Sequence, residues 1–106
     1  AATPRISLAT IAGDVAQEFG VGLNELRGKT RNQTFRIPRQ CAMLLAHEVG
    51  GWPMAEIGRY FGRRTHASVS YSCRRFHEAL GQTPSLREHV QRLRLRLSDR
   101  QLADCG

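Results

Sequence analysis

Apolar residues recur at three- and four-residue spacing along most of this chain, and each run is bounded by glycine, proline or a short polar side chain. Leu8, Ile11, Val15 and Phe19 mark the buried stripe of a first helix, with Ser7 placed to cap it and Gly20 to stop it. Gly22 to Gly28 predicts only one or two helical turns, with Leu23 and Leu26 turned inward. Periodicity vanishes from Lys29 to Ile37, which reads as a loop. Pro38, its φ already near the helical value, predicts the first position of a nearly all-apolar helix that runs to Gly50-Gly51 and should be the most buried. After Trp52-Pro53, Met54 to Tyr60 predicts a short helix and Gly62 a turn. About Thr65 to Leu80 then predicts a longer helix with Val69, Cys73, Phe76 and Leu80 facing inward. Gly81 to Pro84 breaks that pattern, and Ser85-Leu86-Arg87-Glu88 has the form of a capping box opening a final helix through Val90, Leu93 and Leu97. Strand alternation is weak throughout. The expectation is an all-α fold of five to six helices.

One stretch of the pattern carries chemistry. From Ile57 to Val69 the chain offers a short apolar helix, a glycine-bearing turn, and a cap residue opening a second helix studded with small polar groups. That is the form of a helix-turn-helix, whose second helix enters the major groove of DNA. His66, Ala67, Ser68, Ser70, Tyr71, Arg74 and Arg75 lie off the apolar stripe and are the candidate readers.

Charge sharpens this picture. Sixteen basic residues stand against nine acidic ones, and fifteen of the sixteen are arginine. Arginine's planar fork holds a phosphate or a guanine edge through two parallel hydrogen bonds, which lysine's point charge does not. Arg27, Lys29, Arg31, Arg36 and Arg39 gather with no acidic residue between them, and Arg63 and Arg64 follow Gly62 directly. At 106 residues the chain is one domain, divisible into a helix-turn-helix body over 1–81 and a C-terminal helix over 82–106. Three widely spaced cysteines, Cys41, Cys73 and Cys105, argue against a disulfide framework and for a reducing cytoplasm, with the protein on the nucleoid. No apolar run is long enough for a membrane span or a signal peptide. A chain that begins at Ala1 fits either a removed methionine or a longer protein.

Taken in order, the basic loop from Lys29 to Arg36, Pro38-Arg39-Gln40 opening an apolar helix, Glu56-Ile57-Gly58 through Phe61-Gly62, Arg64-x-His66-x-Ser68-Val69 and Cys73-Arg74 form a specific set. Over roughly Ile6 to Leu80 the chain resembles the C-terminal DNA-binding domain of the bacterial replication initiator DnaA, whose fold is Trp repressor-like. The resemblance implies that His66 and Ser68 meet base edges in the major groove and that Arg31 enters the neighbouring minor groove. It also implies that Arg39 and Gln40 contact phosphate and base, and that Arg64 holds backbone or guanine. Where the family typically has Gly-Arg-Asp-His-Thr-Thr, this chain has Arg63-Arg64-Thr65-His66-Ala67-Ser68. An aspartate can accept from cytosine and a threonine can offer hydroxyl and methyl groups, so Thr65 and Ala67 imply an altered base preference. The initiator's Gly-x-x-x-x-Gly-Lys-Ser/Thr nucleotide loop does not occur here.

Each candidate has a plainer reading. Tyr71 can pack as core or set its ring on a sugar and its hydroxyl on a phosphate. Arg74 and Arg75 point to DNA backbone, or one of them to Glu78. Cys73 and His77 share a helix face at metal-ligand spacing, but no further pair completes a tetrahedron, so burial is the expectation and no metal is. His47-Glu48 lacks a nucleophile or second carboxylate at useful spacing, and no enzyme and no cofactor are expected. Trp52 reads as a wedge between helices, with stacking on a base as the rival. The leucine stripe of the last helix serves either its own domain or a protein partner. The expected function is sequence-specific binding of double-stranded DNA, most simply as a standalone transcriptional regulator. The alternatives are the origin-binding end of an initiator and the DNA-end recognition domain of a transposase or phage protein. Neither a membrane nor a small-molecule substrate enters the picture.

Overall fold

In the computed structural model, residues 6–28, 33–62 and 64–105 are described, with side chains to Arg100. They form six helices and one 3-10 turn, and no strand occurs among them. The helices are α1 (Leu8–Phe19), α2 (Leu23–Arg27), α3 (Arg36–Glu48), α4 (Met54–Tyr60), α5 (His66–Gln82) and α6 (Pro84–Cys105), with the 3-10 turn at Gln33–Phe35.

The first helix begins and ends as its sequence dictates. Ser7 Oγ accepts a hydrogen bond from the Thr10 amide at 3.1 Å, which satisfies one of the N–H groups that a helix start leaves unpaired. At the other end Val21 donates to the Ala16 carbonyl at 3.0 Å across Gly20, closing the last turn. Ile11, Ala12, Val15 and Ala16 are buried against α3.

Helix α3 is the centre of the molecule. Pro38, Arg39 and Cys41 through Ala46 are buried, and α1, α2, α4 and α5 all pack on it. It starts at Arg36, so Pro38 is its third residue and not its first. The reason is general: N–H groups throughout a helix's first turn have no intrahelical acceptor, so a residue without one fits anywhere there. A second correction concerns α2. Leu26 is fully buried as expected, but Leu23, the first residue of the helix, stays 37% exposed.

The final helix starts two residues earlier than the capping box predicts, since that box makes Ser85 the cap and Leu86 the first helical residue. Pro84 is its first residue, which places Ser85 inside the first turn, and extended Thr83 is the single residue between α5 and α6. Val90, Leu93 and Leu97 join the same buried cluster as α1, α3, α4 and α5. Around that stripe, three acids of the body hold three arginines of α6. Asp14, itself buried, accepts from Arg100 Nε at 2.8 Å and Nη2 at 2.9 Å. Glu18 accepts from Arg92 at 3.0 Å and lies 2.6 Å from His89 Nδ1, whose ring stacks against Phe19. Glu48 accepts from Arg94 at 2.7 Å. The His89 hydrogen bond, with Arg92, holds the Glu18 carboxyl below the ordinary value of 4.5 against the upward push of burial. Burial also pushes Glu48 up, but Arg94 and His77 together bring it below that value.

Candidate nucleic-acid interface

Helices α4 and α5 meet through a turn that two glycines make possible. Gly62 has φ +87°, in the left-handed region that side chains with a Cβ rarely adopt. Gly58, inside α4, lies against the turn itself: a Cβ there would collide with the Arg64 carbonyl oxygen and press on Val69. With that space empty, Arg64 N–H donates to the Gly58 carbonyl at 2.7 Å and Arg64 Nε donates to the Phe61 carbonyl at 2.8 Å. Ile57, Phe61 and Val69, all fully buried, fasten both arms to the core. The angle between α4 and α5 is thereby set by packing and by backbone contact.

Thr65 opens α5. Its backbone is extended and its Oγ1 accepts from the Ser68 amide at 3.1 Å, so its hydroxyl serves as the helix cap. Next to it His66 and Ala67 are exposed and Ser68 is half-buried. Further along the helix Tyr71 is 57% exposed, which takes it out of the core and makes it part of the outer face. Arg74 and Arg75 are exposed beside it, and Arg75 Nη1 lies 3.3 Å from Glu78 Oε2. Exposed Arg36 and half-buried Gln40, from the start of α3, complete the same face: with Ile37, Tyr71, Arg75 and Ala79 they line a groove of about 310 Å³. Lys29, Arg31 and Arg63 lie outside the described residues.

Arg39 is placed differently from the expected surface contact. It is only 7% exposed, and its Nε and Nη2 donate to the carbonyls of Leu26 at 2.8 Å and Glu25 at 2.9 Å. Burial, and the like charge of Arg64, lower its pKa from the usual arginine value, as burial lowers that of Arg64. Arg39 therefore joins the end of α2 to the start of α3. Arg27, from the same acid-free cluster, acts in parallel: its guanidinium stacks 4.0 Å from the Tyr60 ring centroid and Nε donates to the Tyr60 carbonyl at 3.4 Å. Three arginines thus grip main-chain oxygens at the ends of α2 and α4, where the helix dipole favours cations.

The remaining candidates settle into plain roles. Cys41 and Cys73 are free and buried, and burial pushes their thiols up to about 12 and about 11, far from a reactive thiolate. His77 Nε2 lies 3.0 Å from Glu48 Oε1, so Glu48 joins α5 to α6. His47 Nδ1 lies 3.2 Å from the Trp52 carbonyl, and Trp52 Nε1 donates to the Ile6 carbonyl at 2.8 Å while its ring packs on the core. No helix of the described residues is long and apolar enough to cross a membrane.

A capped helix presented by a glycine turn, with polar tips at its start and arginines along its flank, defines a DNA-binding helix-turn-helix domain. The family model described as the bacterial dnaA protein helix-turn-helix matches residues 8–76, and the chain belongs to that family. The chromosomal replication initiator protein DnaA of Treponema pallidum (strain Nichols) is 34% identical over 94 residues, covering 89% of this chain and 20% of the relative. DnaA of Chloroflexus aurantiacus (strain J-10-fl) is 32% identical over 93 residues, covering 88% and 19%. The chain thus spans about one fifth of the length of these curated relatives.

Proposed function

We propose that this chain recognises particular duplex sequences by lowering the first turn of α5 into the major groove, and that it does so as the origin-reading module of a replication initiator at the nucleoid. The observation that carries the reading is the placement of exposed His66 and Ala67 on the turn capped by Thr65, flanked by exposed Arg36, Arg74 and Arg75. Base edges are read at the helix start, and phosphate neutralisation along its flank supplies most of the affinity. Its work is binding and not catalysis. The initiator assignment draws on the printed names of its relatives. A second reading, a standalone transcriptional regulator, draws on Thr65 and Ala67, which stand where the family typically carries an acid and a hydroxyl.

Selection of preferred sites from random duplexes tests both. Recovery of an initiator-type box supports the origin module; a different motif concentrated at promoters supports the regulator. With about six phosphates neutralised, affinity should fall about a thousandfold between about 50 and 200 mM salt. A flat salt response together with no selected sequence overturns duplex recognition itself.

A further inference from the structure

We infer that Arg27 and Tyr60 are a positioning pair: their contact fixes where the unit of α4 and α5 sits on the rest of the domain, and so sets how sharply α5 discriminates between duplex sequences. This deepens the duplex-binding reading above and rests on it. Arginine-to-carbonyl contacts form an unbroken path from α3 to the start of α5. Arg39 of α3 donates to the carbonyls of Leu26 and Glu25 at the end of α2. Arg27, at that same end, places its guanidinium 4.0 Å from the Tyr60 ring centroid and donates through Nε to the Tyr60 carbonyl at 3.4 Å. Tyr60 is the last residue of α4, and the carbonyl that follows it, on Phe61, accepts from Arg64 of the turn. Two successive carbonyls at the end of α4 are thus held from opposite directions, one from α2 and one from the segment that leads into α5.

The three arginines differ in what they do for the fold. Arg39 is buried and Arg64 half-buried, whereas Arg27 is exposed. An exposed cation over a ring contributes little to stability, so loss of Arg27 leaves the core intact. Its value is directional. Ile57 and Phe61 fasten α4 through apolar burial, which favours contact but no particular orientation. Helix α4 has seven residues, so a small tilt at its C-terminal end carries straight into the turn and on to Thr65 and His66. Binding constellations tolerate about 0.5 Å of misplacement. A planar guanidinium that lies on one residue's ring while donating to the same residue's carbonyl restrains both tilt and rotation there. Tyr60 also meets the Phe61 ring edge-on at 5.1 Å, which passes the restraint to a fully buried side chain.

Fluorescence anisotropy on the preferred duplex and on a random duplex, with a salt series and a melting curve for each variant, tests the inference. Arg27→Ala should lower affinity for the preferred duplex by about fivefold. It should leave affinity for the random duplex, the salt slope and the melting temperature as they were. Tyr60→Leu, which removes the ring without changing charge, should reproduce that loss of discrimination, and the double variant should be no worse than either single one. Tyr60→Phe, which keeps both ring and carbonyl, should match wild type. Should Tyr60→Leu not fold, Arg27→Ala and Arg27→Gln decide alone, since that side chain lies at the surface. Equal losses on both duplexes with the salt slope reduced by about one make Arg27 a phosphate contact and overturn the inference. Unchanged discrimination in Arg27→Ala, a loss in Tyr60→Phe, additive losses in the double variant, or a lowered melting temperature with equal losses on both duplexes also overturn it. Each of those outcomes leaves the duplex-binding reading standing. A wild type that does not separate the preferred from the random duplex overturns that reading instead.

Discussion

Two arginine-rich surfaces of this molecule use the same residue in opposite ways. On α6, Arg92, Arg94 and Arg100 each meet a carboxylate of the body, on Glu18, Glu48 and Asp14. Between α3 and α5, Arg36 and Arg74 meet no carboxylate among the described residues, and Arg75 meets only the exposed Glu78. The first surface spends its charge inside the domain, and the second keeps it for a partner. Net basicity therefore exaggerates the nucleic-acid footprint. Which arginines meet a carboxylate is decided by where the acids lie, and the fold draws three of the nine to the side that α6 covers.

Perturbing either surface sharpens this contrast. The largest effect belongs to Leu93→Asp, which sets a carboxylate into a fully buried site beneath α6. It should cost on the order of 4 kcal/mol or more, read as a collapse of the thermal transition. A folded variant with a near-native melting temperature would mean that α6 contributes no core. Gly58→Ala comes next, because its new Cβ must push the Arg64 carbonyl aside. A loss of about 2 kcal/mol in stability, with weakened duplex binding, is expected from urea titration and anisotropy. His66→Ala should cost about 2 kcal/mol on the preferred site and clearly less on random duplex, leaving the melting temperature unchanged. Arg92→Gln and Arg94→Gln together should lower stability by less than about 1 kcal/mol for each pair and leave the salt slope of DNA binding as it was. A reduced slope would place α6 on the DNA.

Acid separates the two surfaces in the same sense. Glu18 and Glu48 are held below the ordinary value of 4.5 in the folded chain. Their contribution is therefore complete above the unfolded value and disappears as pH falls through the folded one. A urea midpoint that drops below pH about 4.5 should become less acid-sensitive when Glu18→Gln and Glu48→Gln are introduced.

The helices were legible because their signals are local. Caps, stops and the three- and four-residue spacing sit within each element, and the Gly62 turn with its Thr65 cap is written in adjacent residues. Misplacement occurred where neighbouring positions satisfy one rule equally: Pro38 fits any first-turn position, and Pro84 competes with Ser85 for the start of α6. The burial of Arg39 was not legible for another reason. Its acceptors are main-chain carbonyls thirteen and fourteen residues away, and every residue type has a carbonyl, so sequence holds no trace of the pairing. The α6 clamp left a faint trace, since Asp14 and Glu18 stand four apart beside the α1 stripe, but their partners come from the other end of the chain. Gly58 was visible only as a letter in a motif; its necessity follows from a carbonyl six residues later.

The elbow at Thr83 has a practical consequence. A single extended residue joins the reading helix to α6, and Leu95 projects from α6 into solvent, 63% exposed. A dye held there by two attachment points one helical turn apart would follow the orientation of α6 and, through the one-residue elbow, that of α5. Its emission dipole becomes a compass needle for how the domain is oriented along the double helix.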